Sequence, residues 1–350
     1  MNKNNKNKNR NITQKSKSQL KKGKKKAKRF STLTIMSFFA FEILFTACTF
    51  PFVLLYGPFE NAKSTYVGAA MTSLNHQYLA KWFLSDKKIA EILGQNSTES
   101  TDETTNTSQI EIPKVKDETI ESYEIADNAK YKGYYLVIKD STRVKIGYTS
   151  ELKVEGETTS QIAENNDAVA AINGGGFTDQ SSNALWTGNG GFPIGLIMSG
   201  GKIIFNDIGA NGESDLLAIT KEGVMLVGKY SVEKLQELGV QEALSFGPSL
   251  VINGKMTSMS GDGGWGIAPR TVIGQRKDGA IILLVIDGRG ASSLGATLKE
   301  AQEVIYKLGA INAMNLDGGK STTMYYDGDI INTPSNSMGE RSIPTAIIVK

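Results

Sequence analysis

Three segments of this 350-residue chain share one plan: AVAAIN runs into GGGF at Asn173, ILLVID into GRG at Asp287, and NAMNLD into GGKS at Asp317. Each is an apolar run suited to a buried strand. Each stops on a small polar side chain and passes at once into glycine, which permits close backbone approach and positive φ. A strand buried only for packing has no need of that ending. The pattern predicts three strand ends that deliver Asn or Asp to one loop-lined pocket, a common way for a rigid scaffold to carry chemistry.

Charge is laid out in blocks. Residues 1–30 hold 13 of the 39 Lys and Arg and no Asp or Glu, so the rest of the chain carries 26 basic against 36 acidic side chains. A tail such as KKGKKKAKR could bind nucleic acid, but the segment after it argues otherwise. From Leu33 to Tyr56 the only charged residue is Glu42, and a span of the hydrocarbon core needs about 20 apolar residues. Glu42 and Pro51 are compatible with a span, because a lone carboxylic acid can be neutral and proline is tolerated in membrane helices. The basic block places the N-terminus in the cytoplasm and everything after Tyr56 outside the cell. A cleaved signal peptide is the rival reading. The apolar run exceeds a signal core, and neither a clear A-x-A site nor more than a faint lipoprotein-like FTAC at Cys48 follows. Cys48 is the only cysteine, so the exported part has no disulfide, thiol nucleophile or thiolate metal site.

Five regions follow from composition: a basic cytoplasmic tail over 1–30, a transmembrane helix over 31–56, a helical membrane-proximal stalk over 57–94, a disordered polar linker over 95–119, and a folded domain over 120–350. The stalk is read from Met71, Leu74, Leu79, Trp82, Phe83, Ile89 and Ile92 at helical spacing. The linker is read from its lack of large apolar residues. The last region contains 33 of the 37 glycines. Gly200-Gly201, Asn253-Gly254, Asp278-Gly279 and Asp327-Gly328 sit where two-residue hairpin turns need them. Thr297 with Glu300 forms a capping box for a helix that stops at Gly309, and Ser231–Leu238 and Thr159–Asn165 are shorter helix candidates. The expected class is α+β: a glycine-rich mixed β-sheet domain with a few helices, preceded by a single N-terminal transmembrane helix and a helical stalk.

The only histidine, His76, lies in the stalk. The folded domain therefore has no Ser-His-Asp triad, HExxH zinc site or imidazole ligand. GGKST at Gly318–Thr322 is not a phosphate-binding P-loop, because position 314 is Met where that motif needs Gly. DIGANG from Asp207 is not a calcium loop, because its third and twelfth positions are Gly209 and Ala218. No metal and no cofactor are expected. Asp287 with Arg289, Asp317 ahead of Ser321, Asn173, and Arg270 with Thr271 remain. They offer acids together with guanidinium forks that bind phosphate oxygens, and two carboxylates at one site are what glycosidic cleavage usually requires. Asp before Gly is also an ordinary turn former. Trp186 and Trp265 lie in glycine-rich loops where a ring could stack on a sugar, with core packing as the default alternative.

In this order, AINGGGF, FGPSLVINGK, APRTVIG, VIDGRG, GATLKEAQEVIYKLGAINAMNLDGGKSTTMYY and ERSIPTAIIV resemble the phosphodiester glycosidase family, over about Tyr134 to Lys350. The resemblance implies hydrolysis at the anomeric carbon of a sugar linked to a phosphodiester, without a cofactor. Bacterial members are often exopolysaccharide-related envelope proteins. The family motifs fall on Asn173, Gly174, Gly175 and Phe177; on Arg270 and Thr271; on Asp287, Gly288 and Arg289; and on Asp317, Gly318 and Gly319. Lys320 and Thr322 depart from the frequent DGGGSS pattern, while Ser321 keeps its hydroxyl. The resulting assignment makes Asp287 and Asp317 the carboxylate pair. Arg270 and Arg289 contact phosphate, and Asn173, Gly174, Gly175, Thr271, Gly318, Gly319 and Ser321 complete the substrate site. The expected partner is a phosphate-containing glycan or cell-envelope polymer, reached from a membrane anchor, with no nucleic acid. Two other readings stay open: a non-catalytic glycan- or teichoic-acid-binding module, and a phosphodiesterase cutting the P–O bond.

Overall fold

Alternation along the Ile281–Ile286 strand organises the domain. Ile281, Leu283 and Val285 point into one hydrophobic core and Ile282, Leu284 and Ile286 into another, as the two-residue period of a strand requires. All six are buried. A strand buried on both faces must lie inside a sheet that is itself sandwiched, which explains why its sequence is continuously apolar.

The computed structural model describes residues 31–71, 76–95, 98, 101, 103–125, 129–178, 189–209, 212–290 and 292–350. The basic tail, Leu74, Trp186, and Ala210 and Asn211 of DIGANG lie outside the described residues. A seven-stranded antiparallel sheet runs from Ile120–Glu124 through Gly133–Ile138, Ile281–Ile286, Arg270–Arg276, Ala310–Leu316 and Ser249–Ile252 to Lys255–Met256. The Leu298–Lys307 helix covers one face, packing Leu298, Ala301 and Ile305 into the second core. Thr297 and Glu300 form the expected capping box. The other face packs on two five-stranded sheets, which contribute Ile172 and Ile347, and Leu217 and Val227, to the first core. Sheets layered with segregated helices make the domain α+β, as its glycine-rich hairpins suggest.

Three of the four expected two-residue turns form with both residues at positive φ: Gly200-Gly201, Asn253-Gly254 and Asp327-Gly328. Asp278-Gly279 differs. Arg276 N donates to Ala280 O, so the loop has three residues, and only Gly279 has positive φ, the three-residue type of hairpin. The Thr159–Asn165 helix also carries a capping box, from Thr158 and Gln161.

Thr32–Tyr56 is one 25-residue helix, about 37 Å at 1.5 Å per residue, which is long and apolar enough to cross a membrane. It forms a unit separate from Gly57–Lys350. Within the second unit the stalk region comprises helices Glu60–Met71, Tyr78–Lys81 and Asp86–Gln95, the first beginning before the apolar pattern does. These helices are not a separate spacer. A side chain at Gly266 would meet Ala69 N at 2.5 Å, so the first helix lies directly on the Gly261–Gly266 loop.

The polar stretch expected to be a disordered linker is, over its later part, fastened to the domain. Asn106 N donates to Asn253 Oδ1 at 2.7 Å, Val227 N to Thr105 Oγ1 at 2.9 Å, and Glu111 N to Lys277 O at 2.8 Å. The composition argument counted apolar burial, whereas this segment is ordered by hydrogen bonds to backbone groups of the domain and to the side chains of Asn253 and Tyr230.

Candidate active site

Antiparallel register brings two of the predicted strand ends together. Arg270, at the start of its strand, pairs with Ile286, and Thr271 pairs with Leu316 on the other side. Asp287 and Asp317 therefore flank the start of the central strand at one end of the sheet, about 10 Å apart along the hydrogen-bonding direction by strand spacing. The third end arrives from a different sheet. Asn173 pairs with Ala346 there, and Asp317 N donates to Gly174 O at 3.1 Å.

The glycines after Asn173 are required for close approach, and they do not have positive φ. A Cβ at Gly174 would lie 2.6 Å from Thr345 Oγ1, and one at Gly175 would lie 2.7 Å from Ser245 O. After Asp317 both uses occur. A Cβ at Gly318 would meet Pro269 O at 2.7 Å, whereas Gly319 has φ +63 and presents its open side to the Arg289 guanidinium.

The predicted residues separate into a buried layer and an open one. Asn173 is fully buried. Its Nδ2 donates to Asp317 O at 2.5 Å, and its Oδ1 accepts from Thr271 Oγ1 at 2.7 Å and Thr323 N at 3.2 Å. Thr271, also buried, completes the bridge through Thr322 Oγ1 at 3.3 Å. Expected as substrate contacts, Asn173 and Thr271 are instead inward-facing ties between strand ends. Ser321 is buried as well, and its Oγ has no partner among the described residues.

Arg270 lies in the same layer. Its Nε donates to Ala296 O at 3.0 Å, and Nη2 donates to Trp265 O at 3.0 Å and Gly266 O at 2.6 Å. Much of the guanidinium expected on phosphate is thus held by carbonyls, and only Nη1 has no acceptor among the described residues. Burial, helped by the Arg289 charge and opposed by Asp262, pulls its pKa down to about 10. It remains a cation at neutral pH. Asp287 is buried with it: Oδ1 accepts from Asn332 Nδ2 at 2.9 Å, and both oxygens accept from Thr333 N at 3.1 Å. Burial pushes its carboxyl above the usual range, although the Asn332 and Thr333 hydrogen bonds and the Lys132 charge pull the other way. Asp287 is therefore easier to protonate than an ordinary carboxylate.

The open layer consists of Asp317, Gly318, Gly319 and Lys320, all half-buried, and exposed Arg289. Arg289 has φ +59, a left-handed conformation unusual for a residue with a side chain. Solvent-exposed yet crowded, its guanidinium has its pKa lowered by desolvation. It makes no hydrogen bond or ion pair with the described residues. Two neighbouring guanidinium groups with spare donors suit an anion. Among the described residues no group of three or more His, Cys, Asp or Glu is placed to hold a metal.

Sequence reasoning missed Asn332. Its Nδ2 holds Asp287 and also donates to Thr322 O at 3.2 Å, while its Oδ1 accepts from Met324 N at 2.7 Å. It sits in an irregular INTPS stretch with no periodicity, and only a buried amide opposite a carboxylate identifies it. Trp265 and Gly266, which hold Arg270, contribute only carbonyls, a role that side-chain chemistry does not reveal.

Comparison with known proteins bears on the family and the fold. The family model described as phosphodiester glycosidase matches residues 166–350. An uncharacterized SPbeta prophage-derived protein of Bacillus subtilis, YomE, is 30% identical over 200 residues, covering 55% of this chain and 29% of that one. The N-acetylglucosamine-1-phosphodiester alpha-N-acetylglucosaminidase of Bos taurus is 26% identical over 196 residues, covering 51% and 35%. The matches thus span about a third of those relatives' length. The solved catalytic domain of the zebrafish N-acetylglucosamine-1-phosphodiester alpha-N-acetylglucosaminidase, auto-inhibited by its pro-peptide, shares the fold. Its TM-score is 0.56 at 21% identity, covering 73% of this chain and 94% of that one. With a family model matching more than half of its length, the chain belongs to the phosphodiester glycosidase family.

Proposed function

We propose that this protein is a membrane-anchored extracytoplasmic hydrolase that removes a sugar from a sugar-1-phosphodiester in an envelope or exopolysaccharide glycan. The observation that carries the reading is the open Arg289 guanidinium lying against Gly319 of the Asp317 loop, 3.4 Å from where a Cβ would stand, beside two strand-end carboxylates. That guanidinium makes no hydrogen bond or ion pair with the described residues, while the Arg289 backbone is fixed by the hydrogen bond from Arg289 N to Leu294 O at 3.2 Å. Cations adjacent to acids suit a phosphate that leaves from an anomeric carbon. Phosphate departs more readily than a sugar alkoxide, so histidine is dispensable and arginine stabilisation of the departing dianion is valuable.

In this reading Asp317, at the half-open surface, faces the anomeric centre, and Asp287 is the protonatable acid behind it. Arg289 and Nη1 of Arg270 hold phosphate oxygens, Gly318 and Gly319 let the substrate approach the backbone, and Asn173 and Thr271 fix the carboxylates. The Thr32–Tyr56 helix spans the cell membrane with the basic N-terminus in the cytoplasm and the domain outside.

The test is product identity. The full chain in detergent is incubated with envelope phosphoglycans, and the released species is identified by mass. Free sugar with a new phosphomonoester on the polymer supports the proposal, provided that Asp317→Asn abolishes it and stays folded. Release of a sugar phosphate, or saturable binding with no product, overturns it.

A further inference from the structure

A cleft of about 520 Å³ opens beside the strand-end site, within the range of about 300–1,000 Å³ common for small-molecule sites. It adjoins the segments that carry that site. Gly176 lines it three residues after Asn173, and a Cβ there would touch the Phe246 ring at 3.4 Å. On another wall stands Trp265, whose carbonyl accepts from Arg270 Nη2. The cleft thus meets the Arg270 guanidinium at Trp265 and the loop after Asn173 at Gly176.

Its lining combines an aromatic corner with hydrogen-bond acceptors. Phe246 and Trp265 stand edge to face, with centroids 6.0 Å apart and planes at 62°, forming an apolar corner for the C–H face of a ring. Asp207 and Asp215 supply acceptors. Asp207 Oδ1 accepts from Gly195 N at 2.7 Å, and its other oxygen is unengaged by the described residues. The Asp215 carboxylate makes no hydrogen bond with the described residues, and burial pushes its pKa up against the pull of Lys229. Among the described residues no Lys, Arg or His lines the cleft, although Lys229 stands opposite Asp215 in the register of the neighbouring strand.

Resting on the hydrolase reading above, we infer that this cleft seats the sugar ring of the substrate and selects uncharged sugars against acidic ones. Asp207 and Asp215 accept hydrogen bonds from ring hydroxyls, and the aromatic corner packs on the ring. A uronate in the same place sets a third carboxylate beside two others, on a wall that no described Lys, Arg or His lines, which disfavours it by charge repulsion. The phosphate lies outside the cleft, on the arginines.

Binding without turnover separates the two ideas. Calorimetric titration of the detergent-solubilised full chain uses three probes: inorganic phosphate, a hexose 1-phosphate and the corresponding hexuronic acid 1-phosphate. The hexose 1-phosphate should bind at least about tenfold more tightly than inorganic phosphate, a difference of about 1.4 kcal/mol. It should also bind at least about tenfold more tightly than the uronic acid. Phe246→Ala should erase the first margin with phosphate affinity unchanged. Asp215→Asn, nearly isosteric, should narrow the second, and it keeps the idea testable if Phe246→Ala fails to fold. Equal binding of hexose and uronic acid probes, or margins that ignore both substitutions, overturns the cleft assignment. Loss of both margins with Arg289-dependent phosphate binding intact would refute the cleft alone. Intact margins with no sugar release from any phosphodiester would refute the hydrolase reading alone.

Discussion

The side-chain amide of Asn173 donates to the main-chain carbonyl of Asp317 while its oxygen accepts from Thr271 Oγ1 and Thr323 N. One buried amide thus fastens a strand end of one sheet to two strands of another. Asn173→Ala leaves these groups unpaired in a site without solvent, at about 1–3 kcal/mol for each buried polar group left alone. The variant should lose about 3 kcal/mol of stability by chemical denaturation. Its kcat should fall further than its KM rises, because Asp317 loses its tether. Unchanged denaturation would show the amide to be dispensable.

How far the sequence foretold this site depends on what each residue does. Asn173, Asp287 and Asp317 were visible because a buried strand ending on a polar residue and glycine is a local pattern. Their convergence was inferable: the register of Arg270 with Ile286 and Thr271 with Leu316 brings Asp287 and Asp317 together, and the Asn173 amide reaches Asp317 from another sheet. Depth was not legible. Arg270 reads as a phosphate clamp in APRT, yet carbonyls of Trp265, Gly266 and Ala296 hold most of its fork. No side-chain motif marks them. The linker misreading has a similar origin, since composition registers apolar area and is blind to hydrogen bonds made to another part of the chain.

Asp287 should limit stability at neutral pH. Its folded pKa lies above the unfolded value, so any stabilisation from its protonated form is complete below the ordinary carboxylate range. That contribution is lost as pH rises through the raised value. Asp287→Asn removes the titration and keeps an acceptor for Asn332 and Thr333. Melting temperatures should show the variant more stable than the parent at pH 8, with the gap closing by about pH 4, while hydrolysis disappears. A gap that widens toward acid contradicts the burial argument.

Arg289 holds φ +59, a conformation that costs a residue with a side chain about 1–2 kcal/mol. Arg289→Gly should therefore leave stability unchanged or raise it by about 1 kcal/mol, while phosphate affinity falls at least about tenfold. Arg289→Ala loses the same affinity without the relief. Calorimetric titration with inorganic phosphate and thermal melts of both variants decide the matter. Retained phosphate affinity in Arg289→Gly removes the guanidinium from the anion site.

The 103–119 strap depends on the side chain of Asn253. Its Oδ1 accepts from Asn106 N at 2.7 Å, and its Nδ2 donates to Glu103 Oε1 at 3.0 Å and Thr104 O at 3.1 Å. Asn253 also sits at φ +54 in a hairpin turn, so most substitutions would disturb turn and strap together. Asn253→Gly separates the two roles, because glycine accepts that φ and makes none of those hydrogen bonds. Amide exchange over residues 103–111 should accelerate at least about tenfold in this variant, while the 249–256 hairpin keeps its protection. Unaltered exchange over the strap would assign its order to Thr105, which engages Val227 and Tyr230 independently.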